Sequence, residues 1–188
     1  ASMDDGEMIM LNGSATIVIF LHIPKAAGTT FTNILLCQFP PDAVCRIPPF
    51  ASEKFLSLAE DERRSIKLLL GHMEFGLHQF LPQQSTYITM LRDPVERVFS
   101  AYSFILRKPE HPHHQALREG KVGLKEFVER GISSIDTDNG QVRLLSGVQN
   151  HSVPSGKCTW EMLEQADENL QAYFSVVGSV ERFDETLI

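Results

Sequence analysis

Short apolar runs alternate along the chain with segments of helical periodicity. Five runs have the length of a buried strand: 17–23, 43–47, 66–70, 86–91 and 174–180. Apolar residues at helical spacing predict helices between them, including one from Pro94 to about Arg107 and one capped by Thr159 that ends near Ala172. Because strands and helices alternate, we predict an α/β fold of three layers around a central, mainly parallel sheet.

The first apolar run ends in a turn of small residues. Pro24 ends the strand because proline has no N–H for a central ladder, and Gly28 lets the backbone approach a ligand closely. Thr29 and Thr30 open a helix, whose unpaired N–H groups and dipole favour an anion. Lys25 adds a cation, and the threonines add hydroxyl donors. The pattern predicts a P-loop-like phosphate-binding turn after the first strand.

A second junction of strand and helix carries an arginine. Arg92 directly follows the fourth apolar run, Asp93 is a good N-cap, and Pro94 suits the first helical position. Open parallel sheets bind ligands at the carboxyl ends of their strands, so we expect Arg92 on the same edge as the first turn. Its guanidinium can grip a phosphate with two hydrogen bonds, and Ser100 can donate to the same group.

Composition sets bounds on the class of protein. With 188 residues, 43% of them hydrophobic and 22% charged, the chain is expected to fold as one domain. We expect residues 1–14 to be a tag scar and a flexible N-terminus, and 15–188 to be a single domain truncated at its C-terminus. No apolar run approaches the roughly 20 residues that span a bilayer. A net charge of -7 disfavours nucleic acid and a heparin-like polyanion as partners, although a local basic cleft is compatible with it.

The three cysteines, Cys37, Cys45 and Cys158, lack the spacing of metal ligands. Their odd number argues against a full disulfide framework and favours a reducing compartment. A bridge between Cys37 and Cys45 stays open as an alternative.

The motif His22-Ile23-Pro24-Lys25-Ala26-Ala27-Gly28-Thr29 differs from a Walker A loop, where the lysine follows the second glycine. It resembles the 5′-phosphosulfate loop of sulfotransferases that use 3′-phosphoadenosine 5′-phosphosulfate (PAPS). It is most similar to the carbohydrate branch, which includes the heparan sulfate 2-O- and 6-O-sulfotransferases and their bacterial relatives. About sixty residues later, Arg92 to Tyr102 resembles the family's 3′-phosphate motif RDPxxRxxSxY. Residues 138–147 and 177–183 are similar to its NxQxRxLxG and VGxxERF segments.

The resemblance implies a PAPS-dependent O-sulfotransferase, which moves a sulfuryl group to a hydroxyl of a carbohydrate or small molecule. Lys25 is implied to stabilise the departing charge, and Arg92 with Ser100 to hold the 3′-phosphate. The residues implied to cradle the 5′-phosphate are Lys25, Ala26, Ala27, Gly28, Thr29 and Thr30. The resemblance implies no metal.

The general base is expected among the residues after the third apolar run. His72 matches the position of the histidine in the 2-O-sulfotransferases, and a neutral imidazole works well near neutral pH. Glu74 is the alternative, since some sulfotransferases use a carboxylate, and a purely structural His72 also stays open. Gln141 and Arg143 are candidate contacts to the acceptor or the sulfonate, or else polar side chains that only hold their helix.

Two other functions and two compartments stay open from the sequence. A P-loop-type kinase or NTPase would need Walker spacing and an aspartate for Mg²⁺, and Asp93 already serves as a helix cap. A non-catalytic nucleotide-binding scaffold is the other alternative. We expect a cytoplasmic location, as for bacterial relatives, or the Golgi lumen if the native protein carries a membrane anchor.

Overall fold

The computed structural model describes residues 10–11, 14–49, 51–148 and 152–186. Its strands are β1 (Met10–Leu11), β2 (Ser14–Ala15), β3 (Ile17–Leu21), β4 (Val44–Ile47), β5 (Leu68–Gly71), β6 (Ser85–Leu91) and β7 (Phe174–Ser179). Its helices are α1 (Gly28–Leu36), α2 (Ser52–Leu56), α3 (Glu60–Ser65), α4 (Pro94–Arg107), α5 (His114–Glu119), α6 (Leu124–Glu129), α7 (Ser134–Thr137), α8 (Gly140–Ser146), α9 (Trp160–Tyr173) and α10 (Phe183–Thr186).

Five strands form one parallel sheet in the order β4-β5-β3-β6-β7, and helices flank it. The predicted α/β fold is confirmed, and each of the five apolar runs supplies one strand of this sheet. The strands β1 and β2 pair separately as a short antiparallel hairpin.

Strand β3 lies at the centre of the sheet, and all five of its residues are buried. This explains its unbroken run of apolar residues, since a strand covered on both faces needs no polar side. The chain leaves β3 to build β4 and β5 on one side, and then crosses to β6 and β7 on the other. The carboxyl end of β3 is therefore a topological switch point, where open α/β sheets form a crevice.

The strand register determines which side chains meet at this end of the sheet. Leu21 pairs with Gly71 of β5 and with Thr89 of β6. His22 and His72 therefore leave the sheet side by side. The buried hydroxyl of Thr89 donates to the carbonyl of Leu21 at 2.8 Å and holds the two strands together just below the crevice.

Helix α4 begins and ends where the sequence predicts, and a carboxylate oxygen of Asp93 accepts from the backbone N–H of Glu96 at 2.9 Å. Its Ile105 forms a small second core with three other side chains, Leu117, Val122 and Phe127. The short helices α5 and α7 were not predicted. Helices this short depend on tertiary packing, which for α5 is the burial of Leu117 against Ile105. The polar sequence of residues 149–157 predicts an exposed loop, and residues 149–151 of it lie outside the described residues.

Candidate functional site

The turn between β3 and α1 has an unusual backbone. Lys25 and Ala27 have positive φ angles of 68° and 54°, and Ala26 between them is fully buried. Left-handed conformations of non-glycine residues cost on the order of 1–3 kcal/mol each and cluster at functional sites. Ala27 is the N-cap of α1, and no side chain caps the helix there. The first-turn amides of α1 are thus available to an anion.

Position 28 must be glycine because the ring of His22 lies against it. A Cβ on Gly28 would lie 1.9 Å from Nε2 of His22, because the imidazole occupies the space that a side chain would need. The sequence predicted that this glycine admits a ligand; the structure shows that it admits the ring of His22. That ring also stacks on Phe20, with centroids 5.3 Å apart and planes 13° from parallel. A contact between a strand-end side chain and the next helix leaves no signal in the sequence.

The two predicted phosphate-binding segments face one open cleft of about 350 Å³. Its lining residues are His22, Lys25, Ala27, Gly28, Thr29, Thr30, Arg92, Ser100 and Val180. Ala26 lies beneath this surface, and Val180, just after β7, was not predicted. The donors in this set are ammonium, guanidinium, hydroxyl and helix N-terminal amide groups, which suit phosphate and sulfate oxygens.

The charges of two arginines act on Lys25. Burial lowers the pKa of Lys25, and the charges of Arg107 and Arg92 lower it further, while Asp136 opposes them. The ammonium nitrogen of Lys25 lies 3.8 Å from the ring centroid of Phe104 on α4. A positive cleft therefore exists within a protein of net charge -7.

Gln141 holds Arg92 in place by its backbone. The N–H of Arg92 donates to Oε1 of Gln141 at 3.0 Å, and Nε2 of Gln141 donates to the carbonyl of Arg92 at 2.8 Å. The guanidinium of Arg92 donates to the carbonyl of Lys25 at 3.3 Å and lies 3.6 Å from the carboxylate of Glu96. The amide of Gln141 thus ties the start of α8 to the end of β6 and does not line the cleft.

Arg143 is completely buried. Its Nε donates to the carbonyl of Asp138 at 2.7 Å, and its guanidinium also forms an ion pair with the Asp138 carboxylate. Nη1 donates to the carbonyl of Val153 at 2.7 Å, and Nη2 to that of Pro154 at 2.9 Å. The contacts of Arg143, like those of Gln141, favour the structural alternative that the sequence left open beside acceptor contact.

Arg97 is a site residue to which the sequence reasoning gave no role. Its side chain is buried, and Nη1 donates to the carbonyl of Pro24 in the turn at 3.4 Å. Nη2 donates to the carbonyls of Ile135 at 2.8 Å and Asp136 at 3.1 Å. Arg97 therefore fastens the turn to α7. The signal was the second arginine of RDPxxR, which stands on the buried face of α4.

His72 lies beside the cleft, with its ring centroid 4.1 Å from that of His22. Its Nδ1 is 2.7 Å from the carbonyl oxygen of His22. A carbonyl only accepts, so Nδ1 carries the proton and the lone pair of the neutral ring is on Nε2. Burial lowers the pKa of His72, partly offset by this hydrogen bond and by Asp136. Burial, with the charges of His72 and Lys25, lowers the pKa of His22 to about 3, so both rings are neutral near pH 7.

Four further observations bear on the sequence predictions. Glu74 is half-buried, two residues beyond His72, and does not line the cleft. Cys37, Cys45 and Cys158 are free thiols, so the alternative Cys37–Cys45 bridge is absent. Across the described ranges, no group of three or more His, Cys, Asp and Glu is placed to hold a metal ion, and no helix has the length and apolar character to cross a membrane.

The parallel α/β sheet has a turn with anion-binding geometry at its switch point and an arginine after the next strand, features that suit a protein binding a phosphate- or sulfate-bearing ligand. Comparison with known proteins gives the family. The chain belongs to the Sulfotransferase family, which it matches over residues 10–185.

The curated relatives include glycan and protein sulfotransferases. The chain is 26% identical over 207 residues to heparan sulfate 2-O-sulfotransferase 1 of Xenopus laevis. The matched region covers 100% of this chain and 55% of that protein. The human protein of the same name is 26% identical over 192 residues, covering 92% of this chain and 53% of the relative. A protein-tyrosine sulfotransferase of Arabidopsis thaliana is 31% identical over 90 residues, 47% of this chain and 17% of that protein. The chain thus spans about half the length of the heparan sulfate sulfotransferases that it matches.

Proposed function

We propose that this chain forms the donor-binding and reacting part of a PAPS-dependent O-sulfotransferase that acts on a carbohydrate hydroxyl. The observation that carries the proposal is the single cleft lined by both the turn after β3 and the Arg92–Ser100 junction. Family membership and the heparan sulfate relatives support the same chemistry. They do not favour the kinase, NTPase or scaffold alternatives.

The hydrogen-bond donors and cations of the cleft fit a nucleotide that carries phosphate groups at both the 5′ and the 3′ position of its ribose. Lys25, the backbone from Ala26 to Gly28, and the hydroxyls of Thr29 and Thr30 would hold the 5′-phosphosulfate. Arg92 and Ser100 would hold the 3′-phosphate, a group that ATP lacks. When bound, PAPS supplies the sulfuryl group, which passes to the acceptor oxygen as its bond to the 5′-phosphate breaks and 3′,5′-phosphoadenosine is left.

Two side chains would carry the chemical step. Nε2 of His72 would take the proton of the acceptor hydroxyl, since the hydrogen bond of Nδ1 to His22 keeps the lone pair on Nε2. The ammonium of Lys25 would stabilise the negative charge that develops on the 5′-phosphate oxygen. His22, neutral and packed against Gly28, would hold His72 and the start of α1 at fixed positions.

The relatives and the cleft both bear on the class of acceptor. The relatives are named for heparan sulfate, whereas the net charge of -7 counts against a long polyanion. The cations around Lys25 show that the cleft differs from the surface average, so an acidic glycan belongs among the acceptors to be tested.

The animal relatives are consistent with the Golgi lumen and give no support to the cytoplasm.

Transfer of radiolabelled sulfate from PAPS tests the proposal. Acceptors should include a desulfated heparan-type chain, a neutral oligosaccharide and a tyrosine peptide, because the relatives span glycan and protein substrates. We expect transfer to a carbohydrate hydroxyl without added metal. Transfer to the peptide alone would contradict the carbohydrate assignment, and PAPS turnover with no labelled product would contradict an O-sulfotransferase.

Substitution of His72 tests the proposed base. His72→Asn keeps a donor for the His22 carbonyl but cannot take up a proton, so kcat should fall by about 10²–10⁴-fold while affinity for 3′,5′-phosphoadenosine changes little. A base acts only when neutral, and the pKa of His72 lies below its ordinary 6.5. Activity should therefore fall only as the pH drops through a value below 6.5. Normal turnover with a lowered Tm would make His72 structural and move the assignment to Glu74.

A further inference from the structure

One face of α4 contacts the phosphate-binding turn at successive helical turns. Arg97, Ser100 and Phe104 are three and then four residues apart, so they share this face. Arg97 donates to the carbonyl of Pro24, and Ser100 lines the cleft. Phe104 places its ring under the ammonium of Lys25, 3.8 Å from Nζ to centroid.

The environment of Lys25 makes this contact informative. Burial and the charges of Arg92 and Arg107 disfavour the ammonium, and Asp136 favours it. The negative face of an aromatic ring attracts a cation within about 6 Å of its centroid. A carboxylate in the same place would neutralise the lysine and repel a phosphosulfate. An aromatic ring orients the ammonium and leaves its whole charge available to an anionic donor.

The ring of Phe104 is itself held in place. His111, in the loop after α4, packs edge-on against it, with centroids 6.0 Å apart and planes at 89°. Nδ1 of His111 accepts from the backbone N–H of His113 at 3.2 Å, which fixes the imidazole. The loop after α4 thus supports the lysine through two rings.

We propose that Phe104 is a positioning residue for Lys25, whose ring keeps the ammonium charged and oriented in the cleft before the donor binds. The inference deepens the proposed function and rests on it for its catalytic consequence. The contact itself does not depend on the reaction, so it has a separate test.

The catalytic consequence is tested with Phe104→Leu, Phe104→Tyr and the matched control Phe99→Leu. Phe99 is on the same helix but is 57% exposed. Phe104→Leu should lower kcat about threefold to tenfold, the range of a lost cation–π contact, with KM for the acceptor unchanged. Phe104→Tyr keeps the ring face and should restore kcat, and Phe99→Leu should behave as wild type. Equal kcat for leucine and wild type, or failure of tyrosine to rescue, would overturn the proposal.

The position and charge of Lys25 are tested by NMR in the nucleotide-free protein. The ε-methylene signal of Lys25 should show a ring-current shift that Phe104→Leu abolishes and Phe99→Leu preserves. The leucine variant should also lower the pKa of Lys25 further, since His22, Arg92, Arg107 and Asp136 remain around it. A wild-type signal without the shift would overturn the inference. If the shift is present but no PAPS-dependent transfer occurs, the proposed function fails and the contact stands.

Discussion

His22 and His72 form a neutral imidazole pair beside a cationic turn. Their rings are 4.1 Å apart, and burial keeps the charged form of each unfavourable. The positive charge of the cleft therefore resides on lysine and arginine side chains that anions can reach. His72 is thereby neutral, as the base that we propose must be. Gly28 makes this arrangement possible, because a larger residue would displace His22.

Gly28→Ala should destabilise the protein, although alanine is the better helix former. The added methyl would lie 1.9 Å from Nε2 of His22, and overpacking of this kind costs about 1–3 kcal/mol. Denaturant unfolding measures the loss. In the His22→Ala background the clash is absent, so Gly28→Ala should cost much less there than in the wild type. Strictly additive effects of the two substitutions would show that the ring does not occupy this space.

Arg92→Ala should separate the two ends of the nucleotide. Affinity for 3′,5′-phosphoadenosine should fall by about 1.5–3 kcal/mol, the contribution of a charge-assisted hydrogen-bonding group. Affinity for adenosine 5′-phosphosulfate, which has no 3′-phosphate, should fall much less. Arg118→Ala, on the exposed side of α5, is the matched control for loss of one positive charge. Equal losses of affinity for both ligands would show that Arg92 does not hold the 3′-phosphate.

At the scale of elements, α8 holds two parts of the chain in place: the carboxyl end of β6 and the segment that follows α8 itself. Gln141 bonds to both backbone groups of Arg92, and Arg143 binds the carbonyls of Val153 and Pro154. The sequence predicted this helix but left the purpose of its polar residues open. The sequence motif is the same for an arginine that binds an acceptor and for one that holds a loop in place. Only the burial of the side chain in the structure distinguishes the two roles.

Arg143→Leu should therefore act on stability. It leaves Asp138 without its ion pair and removes the donor to the carbonyls of Asp138, Val153 and Pro154, and breaking a buried pair costs about 3–5 kcal/mol. Calorimetry should show a large fall in Tm, while folded protein keeps its affinity for 3′,5′-phosphoadenosine. Arg143→Lys should rescue little, since lysine cannot supply the forked donors. An unchanged Tm with a raised acceptor KM would instead make Arg143 an acceptor contact.

At the scale of the whole molecule, the sequence predicted the sheet because its buried strands are nearly pure apolar runs. It predicted α4 because Asp93 and Pro94 mark its start. The edge of the sheet that holds the two motifs followed from parallel topology. The contacts made across the fold could not be predicted from the sequence. They are the ring of His22 over Gly28, the hydrogen bond of Arg97 to Pro24, and Phe104 beneath Lys25. These depend on register and helix rotation, which a single sequence does not encode locally.

Charge also differs between the whole molecule and the site. A net charge of -7 coexists with Lys25 and Arg92 in one cleft, and the charge of Arg107 acts on Lys25 as well. The global charge therefore informs the acceptor only weakly, since acceptor and donor meet the local field. The donors that line the cleft suit the phosphate and sulfate groups of the nucleotide that we propose.

Titration with nucleotides tests the central claim most directly, because it needs neither an acceptor nor a metal. Calorimetry in the absence of Mg²⁺ should show that 3′,5′-phosphoadenosine binds and raises the Tm, by linkage to the folded state. ATP under the same conditions should bind more weakly, because Arg92 and Ser100 then have no 3′-phosphate to hold. Binding of ATP that matches or exceeds that of 3′,5′-phosphoadenosine would contradict the account. If such binding appears only in a parallel titration with added Mg²⁺, it would favour a phosphoryl-transfer enzyme.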